Sequence, residues 1–256
     1  MSARLSSALE RACHAFADQP GEISVIVRSK DDPITNIAVN PAISMPSASV
    51  IKVAIACAAA DDPDLDLAAP RQISDLDETF YCSILQAFEP RDQVSLKALI
   101  GLMLIVSDNP ATSAVLDTVG MDKVAAWLTA NGLGQTNLSV GFDDESLGPP
   151  LRANLTTAED CITLLKLVET QPKYDFVRHM LRNNLRNERI PKLLPDTALI
   201  AHKTGTLNGL MHDIAIVESP DAAFYLVVLA DGLPENHDFA GDIARFAKDV
   251  YDLMAG

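Results

Sequence analysis

Ser49 and Lys52 stand three residues apart in SASVIKVAIACAAA (residues 47–60), where Lys52 is the one charge in an otherwise small and apolar run. If Ser49 opens a helix, Lys52 lies one turn along on the same face, within reach of the serine hydroxyl. A serine hydroxyl is a weak nucleophile until a base takes its proton. Lysine can be that base when its pKa is depressed, which burial and a second nearby cation both do. Val50, Ile51, Val53, Ala54, Ile55 and Ala56 leave no room for a solvated stripe. An ammonium buried without a role is expensive. The N–H of Ser49, at a helix N-terminus, would point toward developing negative charge.

Two further short motifs follow in order. Ser107-Asp108-Asn109 sits where an apolar helix should end and another begin. Ser107 is suited to passing a proton to a leaving nitrogen, and Asn109 to donating to an amide carbonyl and contacting Lys52. Taken alone, Ser-Asp-Asn-Pro is also good helix-capping chemistry. Lys203-Thr204-Gly205-Thr206 reads as a strand with a glycine where a ligand or another backbone approaches closely. Lys203 can supply the second cation and bind a substrate carboxylate. Thr204 and Thr206 offer hydroxyls, and the N–H of Thr206 could complete an oxyanion hole. Taken alone, this segment is a solvent-facing strand end.

The elements that must hold these residues can be read from periodicity. Residues 5–18 form a helix, and ISVIVRS and TNIAVNP pair as a hairpin around KDDPI. PAISMPSA is a loop, after which the Ser49 helix starts. Residues from about 61 to 190 read as mainly helical, with SLKALIGLMLIVS apolar on most sides and therefore buried. TTAED places Thr156 or Thr157 as a helix cap. Strands return in ALIAHKTGTLNG, HDIAIVES and AFYLVVLAD, and DFAGDIARFAKDVYDLM closes the chain as a helix. The expected fold is α/β (α+β): an antiparallel sheet flanked by helices, with an inserted all-helical lobe. Residues 1–46 and 196–256 form the α/β lobe, 47–195 the helical lobe, and the active site lies between them.

A formal net charge of −15 over 256 residues argues against nucleic acid and anionic membrane surfaces as partners. No apolar run approaches the roughly 20 residues that span a bilayer. The N-terminal stretch is amphipathic, with Arg4, Glu10 and Arg11 interrupting it. A cytoplasmic location is expected, or a periplasmic or secreted one if a signal has been removed. Cys13, Cys57, Cys82 and Cys161 form no CxxC pair and are expected to be reduced and mostly buried. DDPDLDL (61–67) lacks the glycine and terminal glutamate of a calcium loop. No metal or cofactor is implied, and a monomer acting on a small molecule is expected.

In order and content the three motifs resemble the class A serine β-lactamases and the related penicillin-binding proteins. The resemblance extends through RIPKLLPDTALIAHKTG, HDIAIVESPDAAFYLVVLADG and NLTTAEDCITLLK, from about residue 22 to the C-terminus. It implies a two-lobed fold with Ser49 as the acylated nucleophile, Lys52 as its base partner, Ser107 as proton shuttle and Asn109 as a substrate contact. It further implies that Lys203 and Thr204 hold a substrate carboxylate, with Gly205 beside them. The oxyanion hole would come from the N–H groups of Ser49 and Thr206.

The sequence departs from that family in one place. The resemblance calls for a deacylating glutamate in an E-x-x-L-N pattern, and none is present in NLSVGFDDESLGPPLRANLTT (137–157). Counting from Ser107 and Thr156 puts the glutamate position close to Phe142. The usual bracing arginine–aspartate pair is not recognisable either. Asp143, Asp144 and Glu145 are the nearby carboxylates, and an exposed loop acid is the blander reading of each. Three activities follow. One is a β-lactam hydrolase, slowed by the missing base. The others are an intracellular esterase, amidase or peptidase with the same acylation machinery, and a binder or sensor that acylates and stops.

Overall fold

The computed structural model describes residues 3–30, 32, 35–76, 83–143 and 148–255. In chain order the elements are helix α1 (Ala3–Ala17), strands β1 (Glu22–Ser29), β2 (Asn36–Val39) and β3 (Met45–Pro46), and helix α2 (Lys52–Asp61). Strands β4 (Pro70–Gln72) and β5 (Gln93–Ser95) precede helices α3 (Leu96–Ile105), α4 (Asn109–Val119) and α5 (Met121–Ala130). Strand β6 (Leu155–Thr156) is followed by helices α6 (Ala158–Thr170) and α7 (Asp175–Arg182). Strands β7 (Leu199–Leu207), β8 (Leu210–Glu218) and β9 (Ala223–Asp231) and helix α8 (Phe239–Ala255) complete the fold.

The five long strands form one antiparallel sheet in the order β2-β1-β9-β8-β7, which brings the two ends of the chain together through β1 and β9. In that pairing Val25 faces Val228 and Val27 faces Leu226. Two tight connections set the register of the later strands. Asn208-Gly209 joins β7 to β8 with Gly209 in the left-handed region (φ 70°), where a side chain is disfavoured. Between β8 and β9, the Ser219 hydroxyl accepts the backbone N–H groups of Asp221 and Ala222.

The middle strand, β9, is almost wholly apolar from Ala223 to Ala230 because both faces of the sheet are covered. Leu226, Val228 and Ala230 of β9 pack with Leu9 and Phe16 of α1 and with Phe239, Ile243 and Phe246 of α8. Val227 and Leu229 turn the other way, into a larger core shared with α2, α3, α4, α6 and α7. Helix α2 lies inside that core, with every residue from Lys52 to Ala59 buried. The antiparallel sheet, the flanking helices and the helical segment inserted between its strands are those read from the sequence.

Three local readings change. Among its described residues, segment 62–95 carries no α-helix: β4 and β5 pair as a short ribbon. Helix α2 stops where the side chains of Asp62 and Asp66 take the N–H groups of Asp64 and Ala68, a local bond that competes with helix. PAISMPSA is not wholly a loop, since Met45–Pro46 pairs with Leu155–Thr156. Ser49 lies in a 3₁₀ turn, Ala48–Ile51, ahead of the α-helix rather than at its first residue. Cys13, Cys57 and Cys161 are free and buried, while Cys82 lies outside the described residues. Among the described residues no helix is long and apolar enough to cross a membrane.

Candidate active site

Ser49 is half-buried at the mouth of a cleft of about 370 Å³, which is also lined by Ser107, Asn109, Thr204, Thr206, Arg186, Glu188 and Arg189. The turn that presents it is held on two sides. Ser47 donates its N–H to the carbonyl of Asn154 at 2.6 Å, and Ala48 adopts a left-handed φ of 45°. A non-glycine residue there is uncommon and stores strain, which persists only where the surroundings impose it. Part of that imposition comes from β7. A Cβ on Gly205 would stand 3.1 Å from the Cβ of Ala48 and 3.4 Å from that of His212. The glycine therefore lets the strand pass close against the serine turn, the close approach expected of it.

Beneath the cleft lie two fully buried lysines. Lys52 donates to the Ser107 carbonyl at 2.9 Å and to Asn109 Oδ1 at 2.6 Å, with the Ser107 hydroxyl farther away at 3.4 Å. Among the described residues, its hydrogen bonds go to these groups and not to the Ser49 hydroxyl. Lys203 donates to the Ser107 hydroxyl at 3.0 Å and to the Thr204 carbonyl at 2.9 Å. The Ser107 oxygen thus sits between two amines. Burial pushes Lys52 well below the usual lysine range, and the Lys203 charge pushes it further; Asp108 works the other way. Burial likewise brings Lys203 down to about 7, with Arg189 and Arg186 adding to the fall against the pull of Asp213.

Ser107 takes a left-handed φ of 62° between α3 and α4. The next residue pins it there. The Asp108 carboxylate caps α4 by accepting the N–H of Ala111 at 2.9 Å, and also accepts from the Ile84 N–H and the Ser83 hydroxyl. The capping chemistry and the site chemistry of this motif are therefore compatible: Asp108 caps, while its neighbours face the cleft.

Three supporting residues receive no role from the sequence, although each opens one of the segments that carry the family resemblance. Arg189 is buried, donates to the carbonyl of Gly205 at 2.9 Å and to the Thr206 hydroxyl at 2.5 Å, and leaves its buried Nε unpaired. It adds a cation beside Lys203, Thr204 and Thr206. His212 accepts the Ala230 N–H at Nδ1 and donates from Nε2 to the Pro46 carbonyl at 2.8 Å. Burial lowers its pKa to about 4, so it is a neutral tether between β8 and the segment leading into Ser49. Asn154 accepts the N–H groups of Ser139 and Val140 and donates back to the Val140 carbonyl, bracing the 137–157 loop.

That loop carries Phe142 into the core. The ring is buried, and its centroid lies 4.7 Å from the Lys52 ammonium. Asp143 is exposed, and Asp144 and Glu145 lie outside the described residues. Ser49, Lys52, Ser107, Asn109, Lys203, Thr204, Gly205 and Thr206 are thus drawn from three separated segments to one site, with the Phe142 ring of a fourth beside Lys52.

Residues 4–254 match the family described as the beta-lactamase enzyme family. Among solved structures, a beta-lactamase from Sphaerobacter thermophilus DSM 20745 is 21% identical with a TM-score of 0.81, covering 97% of both chains. A representative of class A beta-lactamase from Bacteroides cellulosilyticus DSM 14838 is 22% identical with a TM-score of 0.85, covering 98% of both. PBP-A is 24% identical with a TM-score of 0.82, covering 98% of this chain and 95% of that one. At these identities the likeness is one of fold. No curated protein matches the sequence.

Proposed function

This chain belongs to the beta-lactamase enzyme family, and on that premise we propose that it is a serine hydrolase that opens a β-lactam ring quickly and releases the product slowly. The site lies between the helical lobe of residues 47–195 and the α/β lobe of 1–46 and 196–256. The observation that carries the reading is the meeting of two buried lysines, both with lowered pKa, at Ser107, with the Phe142 ring beside one of them.

In the acylation step the Ser49 hydroxyl oxygen attacks the ring carbonyl carbon and its proton passes to Lys52. A neutral Lys52 amine can spend its two N–H bonds on the Ser107 carbonyl and Asn109 Oδ1, keeping a lone pair for that proton. The oxyanion is taken by the N–H groups of Ser49 and Thr206. When the carbon–nitrogen bond breaks, the Ser107 hydroxyl gives its proton to the leaving nitrogen and is reprotonated from Lys52 or Lys203. The substrate carboxylate lies against Lys203, Thr204 and Arg189, and Asn109 contacts the amide side chain.

Deacylation needs a water held and deprotonated beside the ester. A buried aromatic ring can do neither, and general-base assistance is worth roughly 10²–10⁴-fold. Asp143, with Asp144 and Glu145 following it, would have to reach in from the loop to supply a base.

Intact-mass spectrometry after mixing with a penicillin and with a chromogenic cephalosporin tests this reading. A stoichiometric adduct on Ser49 that decays slowly, with product release at the same rate, is expected. Rapid turnover without an adduct would show an ordinary hydrolase. Absence of any adduct, with turnover of nitrophenyl esters, would show an esterase instead.

A further inference from the structure

Apart from that cleft, and sharing no lining residue with it, a recess of about 860 Å³ opens beside α6. Arg28 of β1 and Lys30 just after it, Lys166 and Glu169 of α6, Arg178 of α7 and Tyr225 of β9 contribute to its lining. Four cations and one carboxylate are unusual company in a protein of formal charge −15.

The inner charges neutralise one another. Glu169 takes Lys30 and the Tyr225 hydroxyl, while Glu218 takes Lys30 at 2.6 Å and Arg182. The outer cations are less fully engaged. Arg28 donates through Nε to Asn36 at 2.9 Å and stands 3.6 Å from Glu159. Arg178 makes one 3.1 Å contact with Asp175. Lys166 is half-buried, and among the described residues its ammonium has no hydrogen-bond or ion-pair partner. Donors therefore exceed acceptors around a space large enough for a small molecule, and two of the donors are guanidinium forks suited to oxyanions.

We propose that this recess binds a small polyanion through its carboxylate or phosphate oxygens, held by Arg28, Lys166 and Arg178. Pairing there supplies oxygens to three cations of which Arg28 and Arg178 each have one acid within 4 Å and Lys166 has none among the described residues.

Calorimetric titration of the full chain with pyrophosphate and with citrate, at an ionic strength fixed by sodium chloride, tests this. Saturable binding of at least one is expected, and which one binds identifies the oxyanion. Lys166→Gln and Arg178→Gln should each weaken it at least tenfold. Lys203→Met, which removes a cation from the Ser49 cleft, should leave it unchanged. Lys166 has no side-chain partner to lose, so that variant decides the matter even if Arg178→Gln unfolds the local ion pairs. No binding above the salt control, equal affinity in Lys166→Gln, or loss in Lys203→Met would each overturn the proposal. The readout is binding alone and does not depend on what happens at Ser49.

Discussion

The Lys52 ammonium lies 4.7 Å from the centroid of the Phe142 ring, so a fully buried lysine is closed on one side by an aromatic face. Ser107 and Asn109 close it on another. The ring packs against Lys52, but it gives a hydrolytic water neither an acceptor nor a base. Phe142→Glu replaces the ring with a group that can do both. The adduct formed with a penicillin should then decay at least tenfold faster, toward the 10²–10⁴-fold range of a positioned base. Phe142→Ala, which only opens space, should not match it. Adduct lifetimes followed by mass spectrometry decide, and an unchanged lifetime in Phe142→Glu would remove the ring from the argument.

Ser49→Ala should abolish every acylation and hydrolysis. Ser49 is half-buried at the cleft mouth, so little stability should be lost. The melting temperature and the mass spectrum check this together. Retained hydrolysis by a folded Ser49→Ala protein would sink the assignment.

Gly205→Ala places a methyl 3.1 Å from the Ala48 Cβ, so β7 or the serine turn must give way. Overpacking of this kind costs about 1–3 kcal/mol. A fall in acylation rate of tenfold or more is expected, because Ser49 and Thr206 flank the contact. Adding Ala48→Gly removes the opposing methyl and the strained φ of 45° at once, and should restore both stability and rate. Denaturant unfolding and stopped-flow acylation on the single and double variants measure the coupling.

Stability should rise with pH above about 7. Lys203 loses its proton near 7 in the folded chain against an ordinary 10.5, and burial pushes Lys52 down as well. Through that interval the unfolded chain binds more protons than the folded one, which makes the slope positive, at about 1.4 kcal/mol per pH unit for each such group. Above 9 the sign reverses for Cys13 and Cys161. Burial holds these thiols at about 12, so the unfolded thiols ionise first. Urea unfolding between pH 6.5 and 8.5 should show the rise, and Lys203→Met should flatten it.

The long strands and helices were legible because their apolar residues follow a period that both covered faces of the sheet enforce. Lys52 was legible as the lone charge in a helix with no solvated face, and Gly205 as a glycine inside a strand. Arg189 was not, because its partners are the Gly205 and His212 carbonyls and one hydroxyl, and backbone groups leave no mark on composition. His212 and Asn154 escaped notice for the same reason. The left-handed turn at Ala48 was invisible too, since alanine has no preference for that conformation; its neighbours impose it. The position of Phe142 could be counted along the chain, but not its burial against Lys52.

Successive residues of β9 belong to different cores: Val227 and Leu229 to the one shared with the inserted helices, Leu226, Val228 and Ala230 to the one under α1 and α8. A single ribbon of backbone thus serves as the common wall of two rooms. Neither room can be emptied without stripping the wall they share, so heat should undo the molecule in one calorimetric transition rather than two. A chain cut after residue 195 would keep Ser49 and lose the wall, and with it the strand that brings Lys203 to Ser107.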